Sequence, residues 1–269
     1  MLLDYLKYLF KSNNRHSVHS PFIYKFNEDV LNARLNAIEW NTLDFYIQNL
    51  KENETVLKIE DLGSGSKSLN KTLRKVKEIY KTASSNRRMM EILFQIVRYY
   101  QCKNILEIGT CLGVGTAAMQ NALGNSNNSK INTIEGSKEL LKFTSEYFNQ
   151  QFKNNQVNFI EGNFDSVLPN LLPTLPPLDL VFVDGNHSYE ATIRYFQMLL
   201  SKVHNESIFI FDDIYWSEGM KKAWNEIQNH PRVQCTVDIF RWGIVFFRKE
   251  MQKEHFTIRF DGFLEAHIS

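Results

Sequence analysis

Cysteine is scarce in this 269-residue chain, and no long apolar run occurs in it. The three cysteines, Cys102, Cys111 and Cys235, make no Cys-x-x-Cys pair. An odd count with no secretory signal points to a reducing compartment, so a cytoplasmic protein is expected. The segment Met1–Phe10 is apolar but carries Asp4 and Lys7 at helical spacing. No run reaches the ~18 apolar residues of a spanning helix, so this segment is expected to form an amphipathic helix, and no membrane partner is expected. An excess of one charge sign is also missing. With 31 basic and 30 acidic side chains the net charge is +1, too little for a global field that would attract nucleic acid. Hydrophobic residues make up 43% of the chain, enough to fill the core of one α/β domain with an elaboration, or of two small domains.

The most informative segment is Asn104-Ile-Leu-Glu-Ile-Gly-Thr-Cys-Leu-Gly-Val-Gly-Thr116. A short apolar strand runs into a turn with Gly109, Gly113 and Gly115, where the backbone bends sharply and can approach a ligand closely before a helix begins. Dinucleotide folds place Gly-x-Gly-x-x-Gly here to seat a pyrophosphate, whereas this turn reads Gly-x-x-x-Gly-x-Gly. The wider opening suits a cofactor without phosphates. Glu107 ends the strand within reach of a cationic group. Glu135, in Lys130-Ile-Asn-Thr-Ile-Glu135, lies about 20 residues beyond the glycines, where an acid is expected to hold ribose hydroxyls.

From Asn104 to about Lys249, short β-branched or aromatic runs alternate with longer helical patterns, the mark of a parallel sheet covered on both faces. Strands are expected at 104–108, 131–134, 157–160, 179–183, 207–211, 234–240 and 243–248. Helices are expected near 114–123, 137–150, 165–172, 188–203 and 217–229, with Ser137 and Ser217 as N-cap types. Only Arg241 and Trp242 separate the last two strands, so the sheet is expected to end in an antiparallel hairpin. The fold class is therefore α/β: a Rossmann-like, doubly wound, seven-stranded sheet, mostly parallel with a C-terminal antiparallel hairpin. Residues 1–81 form a helical N-terminal cap, 82–250 the cofactor-binding domain, and 251–269 a C-terminal extension. In the cap, Asp61-Leu-Gly-Ser-Gly-Ser66 imitates a cofactor loop but lacks a following strand that ends in an acid, and is read as a loop near the site. Leu69, Leu73, Val76 and Tyr80 fall on one helical stripe, with Lys67, Lys71, Arg74, Lys75, Lys77 and Lys81 around it. That face is either solvated or a docking patch for an anion.

Leu106-Glu-Ile-Gly-Thr110, Ile134-Glu-Gly136, Glu161-Gly-Asn163, Asp179-Leu-Val-Phe-Val-Asp184 and Phe211-Asp-Asp-Ile-Tyr-Trp216 follow one another in an order that resembles class I S-adenosylmethionine-dependent methyltransferases. Within these, the chain is most similar to the metal-dependent small-molecule O-methyltransferases of the catechol and caffeoyl-CoA type and their antibiotic-modifying relatives, over about residues 82–248. The resemblance implies that Glu107, Gly109, Thr110, Gly113, Gly115 and Thr116 surround the methionine part of S-adenosylmethionine. It places Glu135, Gly136 and Ser137 at the ribose, Gly162, Asn163 and Phe164 at the adenine, and Asp184 beside the cofactor. Asn163 stands where the family usually has an acid, and its amide oxygen can still accept from the exocyclic amine. Phe164 either stacks on the base or belongs to the core. Ser84 and Ser85 fall in a stretch that approaches the methionine carboxylate in the family, or else they cap the next helix.

Asp184, Asp212 and Asp213 stand at the exits of two adjacent parallel strands, where three carboxylates repel one another unless a cation or proton lies between them. This asks for a metal held by Asp184, Asp212 and Asp213, and oxygen ligands suit Mg²⁺ or another hard divalent cation. By resemblance, Asp213 takes the place of an asparagine, and His187 that of a lysine which removes the acceptor's proton. An imidazole ordinarily titrates near neutral pH and suits that task, so His187 and Asp184 are the candidate catalytic residues. His16 and His19 are expected to pack the N-terminal segment, and Tyr215 and Trp216 to wall the acceptor. The reaction expected is O-methylation of a small molecule. Other readings remain open: a metal-independent methyltransferase whose acids bind an amine, a nicotinamide oxidoreductase using Gly113-Val-Gly-Thr-Ala-Ala118, and a non-catalytic module that docks a partner. A homodimer also remains open, because the N-terminal aromatic helices suit covering either their own site or a neighbour's.

Overall fold

The computed structural model describes residues 2–12, 19–59, 73–83, 86–124, 126, 128–153 and 156–260. The expectations for His16, for the Asp61–Ser66 loop, for Lys67, Leu69 and Lys71, and for Ser84 and Ser85 lie outside the described residues. The elements run α1 (Leu2–Lys11), α2 (Pro21–Phe26, continued by a π-helical turn Asn27–Leu31), α3 (Ala37–Lys51), β1 (Val56–Lys58), β2 (Leu73–Lys75), α4 (Val76–Ala83) and α5 (Arg87–Tyr99). The alternating region follows as β3 (Asn104–Ile108), α6 (Val114–Leu123), β4 (Lys130–Glu135), α7 (Lys138–Gln151), β5 (Val157–Glu161), α8 (Phe164–Leu171), β6 (Leu178–Val183), α9 (Tyr189–Leu199), β7 (Val203–Phe211) and α10 (Glu218–Asn229). Three short strands close the chain: β8 (Cys235–Asp238), β9 (Gly243–Phe246) and β10 (Glu254–Thr257).

The main sheet has the order β5-β4-β3-β6-β7-β9-β8-β10. It is parallel throughout except where β9 runs antiparallel to both β7 and β8. The doubly wound α/β class and the closing hairpin are as expected. The strand count is eight rather than seven, because β10 pairs in parallel with β8 from Glu254↔Cys235 to Thr257↔Asp238. Part of the expected 251–269 extension is thus an edge strand. Its Glu254 and His255 face solvent, so it is held by ladder hydrogen bonds and carries little apolar signal.

Alternate residues of the buried strands feed two cores. Ile105, Ile131, Leu180, Phe182, Ile208 and Ile210 join a cluster with α2, α3, α5, α6 and α7, while Leu106, Ile134, Val181, Val183, Phe209 and Phe211 pack on α8, α9 and α10. This is the two-face alternation of a covered sheet. Ser217 caps α10 by accepting from Met220 N at 3.1 Å. The cap of α5 is Asn86, which accepts from Met89 N at 3.0 Å.

Two expectations about shorter elements change. The stripe read through Leu73 is no helix at that point: Leu73, Arg74 and Lys75 form β2, antiparallel to β1, and the helix starts at Val76. Lys75 and Lys77 both pair with Glu54, Lys75 at 2.6 Å, so part of this basic face is already neutralised. The last strand pair is also shorter than expected. β8 stops at Asp238, Phe240 takes a left-handed backbone (φ 70°), and a four-residue loop reaches Gly243.

α1 packs against that loop. Its Tyr5 and Tyr8 are buried on Phe240, with ring centroids 4.9 and 5.3 Å away, and Tyr215 stacks on the other side of Phe240 at 5.0 Å. Tyr8 Oη donates to Ile258 O and accepts from Phe260 N. The amphipathic reading of this helix therefore holds, with Leu3 and Phe10 on its exposed side.

Candidate active site

The strand exits are stitched side by side. Gly109 N donates to Ile134 O, Asp184 N to Ile108 O, Asp212 N to Val183 O and Gly162 N to Glu135 O, at 2.8–3.0 Å. The chain leaves β3 toward β4 and β5 on one side and returns through β6 and β7 on the other. The crevice thus opens at the switch of winding direction, where ligands bind in open α/β sheets. At Gly109 (φ +104°) an added Cβ would lie 2.1 Å from Asp184 O, so only glycine lets the β3 and β6 exits approach this closely.

A hollow between these exits is lined by Glu107, Gly109, Thr110, Cys111, Leu112, Gly115, Phe182 and Asp184, with Ala83 and Met90 from the helical region. Glu107 is buried, and its Oε2 accepts the hydroxyls of Thr116 and Thr133, the latter at 2.6 Å. The Thr110 hydroxyl lies 2.6 Å from that of Thr133 and extends the chain. The other oxygen, Oε1, lies 2.7 Å from the place a Cβ on Gly115 would take. Thr116 therefore supports Glu107 from inside the helix and does not face the hollow. Thr133 was missed, although Asn132 and Thr133 interrupt an otherwise apolar strand, and a buried polar pair signals a partner.

Burial pushes the Glu107 carboxyl up to about 7, with the two threonine hydroxyls pulling it down and the nearby Glu135 adding to the rise. Because the folded value exceeds the unfolded one, the unfolded chain releases its proton first. Stability is then lost as the pH rises from about 4.5 to about 7 and is level above that. Glu107→Gln is expected to flatten this slope by on the order of 3 kcal/mol. Melting temperatures of both proteins across that range check it, and parallel curves would refute it.

Glu135, at the end of β4, accepts Cys111 N at 3.0 Å on Oε2 and Ser137 N at 2.9 Å on Oε1. Cys111, at φ 47°, turns the glycine loop toward it. Each oxygen keeps a lone pair for a hydroxyl donor. Ser137 stands at the N-cap position of α7 without a capping bond, and its buried Oγ has no partner among the described residues. Gly136 adjoins this carboxylate, and Gly113 (φ 70°) opens α6, buttressed by Tyr46, whose hydroxyl donates to Leu112 O at 2.8 Å. Asn163 is exposed and caps α8, accepting from Asp165 N at 2.8 Å. Phe164 is half-buried, its ring next to Gly185 and edge-on to Tyr195 at 6.0 Å, against the α8–α9 side of the core.

Asp184 and Asp212 come together as expected, and His187 Nε2 stands 3.6 Å from Asp184 Oδ1. The ligand atoms of Asp184, His187 and Asp212 lie within 4.8 Å of one another. Beside these acids sequence reasoning also missed Arg241. Its Nε and Nη2 bond Asp212 Oδ1 and Oδ2 at 3.0 and 3.2 Å, and Nε lies 3.6 Å from Asp213 Oδ1. Burial raises the Asp184 carboxyl well above the usual range, and the Asp212 charge adds to the rise. Burial and Asp212 likewise push Asp213, which has a left-handed backbone, up to about 6. Burial would raise Asp212 too, but the Arg241 charge and hydrogen bonds hold it below its usual value. Tyr215 is turned away to Asp238, 2.6 Å from its Oδ2, while Trp216 stays exposed. His19 is exposed as well.

Residues 106–214 match the profile of a family described as a methyltransferase domain. The solved structure of an O-methyltransferase from Bacillus cereus in complex with SAH superposes with a TM-score of 0.56 over 84% of this chain and 97% of that one, at 18% identity. The chain has a class I methyltransferase fold. TomG, the O-methyltransferase from Streptomyces achromogenes involved in tomaymycin synthesis and solved with SAM, gives 0.56 over 80% and 100% of the two chains at 17% identity. SAH-bound Podospora anserina methyltransferase gives 0.57 over 85% and 94% at 14%. These neighbours match over nearly their whole length, so the likeness is one of architecture. An uncharacterized protein of Acanthamoeba polyphaga mimivirus is 32% identical over 98 residues, 35% of this chain, and the matched stretch spans less than half of that protein, 44%.

Two groups implied by the methyltransferase fold can be tested against these residues. S-adenosylmethionine fits: Gly109, Gly113 and Gly115 leave no room for side chains, Glu135 has free lone pairs, and the Ser137 hydroxyl lacks a partner among the described residues. A hard divalent ion held by Asp184, Asp212 and Asp213 does not fit this arrangement, because the Arg241 guanidinium already sets a fixed positive charge against Asp212 and Asp213, which a divalent ion would have to face at close range.

Proposed function

We propose that the protein is an S-adenosylmethionine-dependent methyltransferase that methylates a hydroxyl group of a small molecule. The observation that carries this reading is that Asp184 lines the same hollow as the Glu107–Gly115 turn, so the cofactor cradle opens directly onto the Asp184–His187 pair. The cofactor, when bound, supplies a methyl group made electrophilic by its sulfonium. Glu135 and Ser137 would hold the ribose, and the turn from Gly109 to Gly115 the methionine portion beside Glu107. His187, 3.6 Å from Asp184, takes the proton from the acceptor hydroxyl, and the Asp212 carboxylate, kept ionised by Arg241 and within 4.8 Å of the ring nitrogen, stabilises the imidazolium that forms. Orientation is the remaining task, since near-attack alignment supplies roughly 7–11 kcal/mol of such a barrier. Trp216, exposed just past the acids, is the available wall for a planar acceptor.

No nucleic-acid or membrane partner belongs to this reading. It is supported by the +1 net charge and by the fact that, among the described residues, no helix is long and apolar enough to cross a membrane. A reducing, cytoplasmic setting is part of the same proposal and rests on three free cysteines. Calorimetric titration with S-adenosylmethionine, followed by an acceptor screen of phenols and amines, tests it. Micromolar cofactor binding with methylated phenols is expected. Absence of cofactor binding would overturn the assignment, and methylation of amines alone would overturn the hydroxyl.

A further inference from the structure

We propose that Arg241 is the resident cation of the carboxylate cluster, so that this active site is built to work without a divalent metal. Three carboxylates at neighbouring strand exits need a counter-charge, and the fold delivers one from the sheet itself. β9 inserts beside β7 with Phe211 opposite Gly243, which sets the hairpin loop next to Asp212 and Asp213. The loop is fixed there by Ile214 N donating to Arg241 O at 3.3 Å and by Phe240, clamped between Tyr5, Tyr8 and Tyr215. From this base the guanidinium meets Asp212 in a two-pronged contact at 3.0 and 3.2 Å and lies 3.6 Å from Asp213.

Asp212 is 1% exposed, and the groups that meet it are Arg241, Asp184 and His187, of which Arg241 is the one fixed cation. Mg²⁺ requires near-octahedral oxygen ligands at about 2.0–2.1 Å and Ca²⁺ six to eight at about 2.3–2.6 Å. Either ion would have to displace a guanidinium whose planar fork matches the carboxylate it holds. The three donors grouped within 4.8 Å depend on that same Asp212. With Arg241 in place, Asp184 remains open toward the hollow with His187 beside it, while Asp212 and Asp213 serve to anchor Arg241. Arg241 is a positioning residue: it fixes the charge beside Asp184 without a chelatable ion.

The test is a titration of the full chain with Mn²⁺, read by electron paramagnetic resonance, alongside S-adenosylmethionine calorimetry with and without EDTA. The wild type is expected to show no Mn²⁺ site tighter than millimolar and no EDTA effect on cofactor affinity. Arg241→Gln, which releases Asp212, is expected to tighten Mn²⁺ binding by about 10-fold or more, because a carboxylate ligand becomes available. Arg241→Lys, which keeps a cation, is expected to leave it weak. Micromolar Mn²⁺ binding by the wild type, unchanged in either variant, would overturn the proposal. If Arg241→Gln does not fold, the wild-type and Arg241→Lys titrations still decide it. The inference rests on the proposed function only for the cofactor arm. A protein that binds neither S-adenosylmethionine nor Mn²⁺ would refute the methyltransferase reading and leave Arg241 as the resident cation.

Discussion

His187→Ala is expected to lower the rate of methyl transfer to a phenol by about 10²–10⁴-fold, the usual contribution of a positioned general base, with cofactor affinity unchanged. His187 sits in the loop between β6 and α9, and among the described groups around the acids it offers a ring nitrogen 3.6 Å from Asp184 on a partly exposed side chain. Asp212 and Asp213 are turned to Arg241, and burial favours the protonated form of Asp184. The deficit should also depend on the acceptor. A strongly acidic phenol, already ionised in solution, needs no base, so the variant should approach the wild type on it. Single-turnover rates on a series of phenols of graded acidity make the comparison. A deficit of equal size across the series would mean that His187 orients the acceptor rather than deprotonating it, and no deficit at all would remove it from the chemistry.

Gly109→Ala is expected to be the most damaging single-atom change in the cofactor turn. The new Cβ would lie 2.1 Å from the Asp184 carbonyl oxygen and 2.7 Å from its carbon, both backbone atoms, at a φ of +104°. Nothing flexible can yield, so the β3 and β6 exits must separate, and Asp184 moves with them. A loss of roughly 3–5 kcal/mol, typical of a strained core position, corresponds to a fall in melting temperature of about 10 °C for a domain this size. On the proposed function, cofactor affinity should drop by about 100-fold or more, since that reading assigns the turn to the cofactor. Gly124→Ala is the control: its backbone also has positive φ (+58°, with ψ −133°), but an added Cβ meets nothing within 4 Å, so only the backbone strain of about 1–3 kcal/mol is expected. Thermal melts and calorimetry on the pair separate close approach from backbone preference, and equal losses in both would discredit the close approach.

The central strands were legible because each is a short apolar run ending in a glycine or an acid, and Glu107 and Glu135, the acids that the proposed function gives to the cofactor, sit where such runs stop. Helix starts were legible where a hydroxyl precedes the pattern, as at Ser217. Ser137 shows the limit of that rule: it occupies the cap position but leaves its hydroxyl unpaired, and composition alone does not separate a cap from a ligand group. Arg241 was hidden for a different reason. Its place beside Asp212 depends on β9 inserting between β7 and β8, and strand order is not encoded in any local run of residues. β10 escaped notice because an exposed Glu-His pair at an edge carries no alternation, and β2 because a basic stretch continuing into a helix shares the helix's pattern.

The contact between Tyr8 and Ile258 joins residues 250 positions apart, and it bears on how the chain is made. α1 leaves the ribosome long before Phe240, against which its tyrosines pack, and Ile258, to which Tyr8 donates. Its apolar side must therefore wait, unburied, while the intervening residues are made, a time of many seconds at roughly 5–20 residues per second. A helix made before the sheet thus docks after it, and the loop that carries Arg241 is clamped only once the strands around it exist.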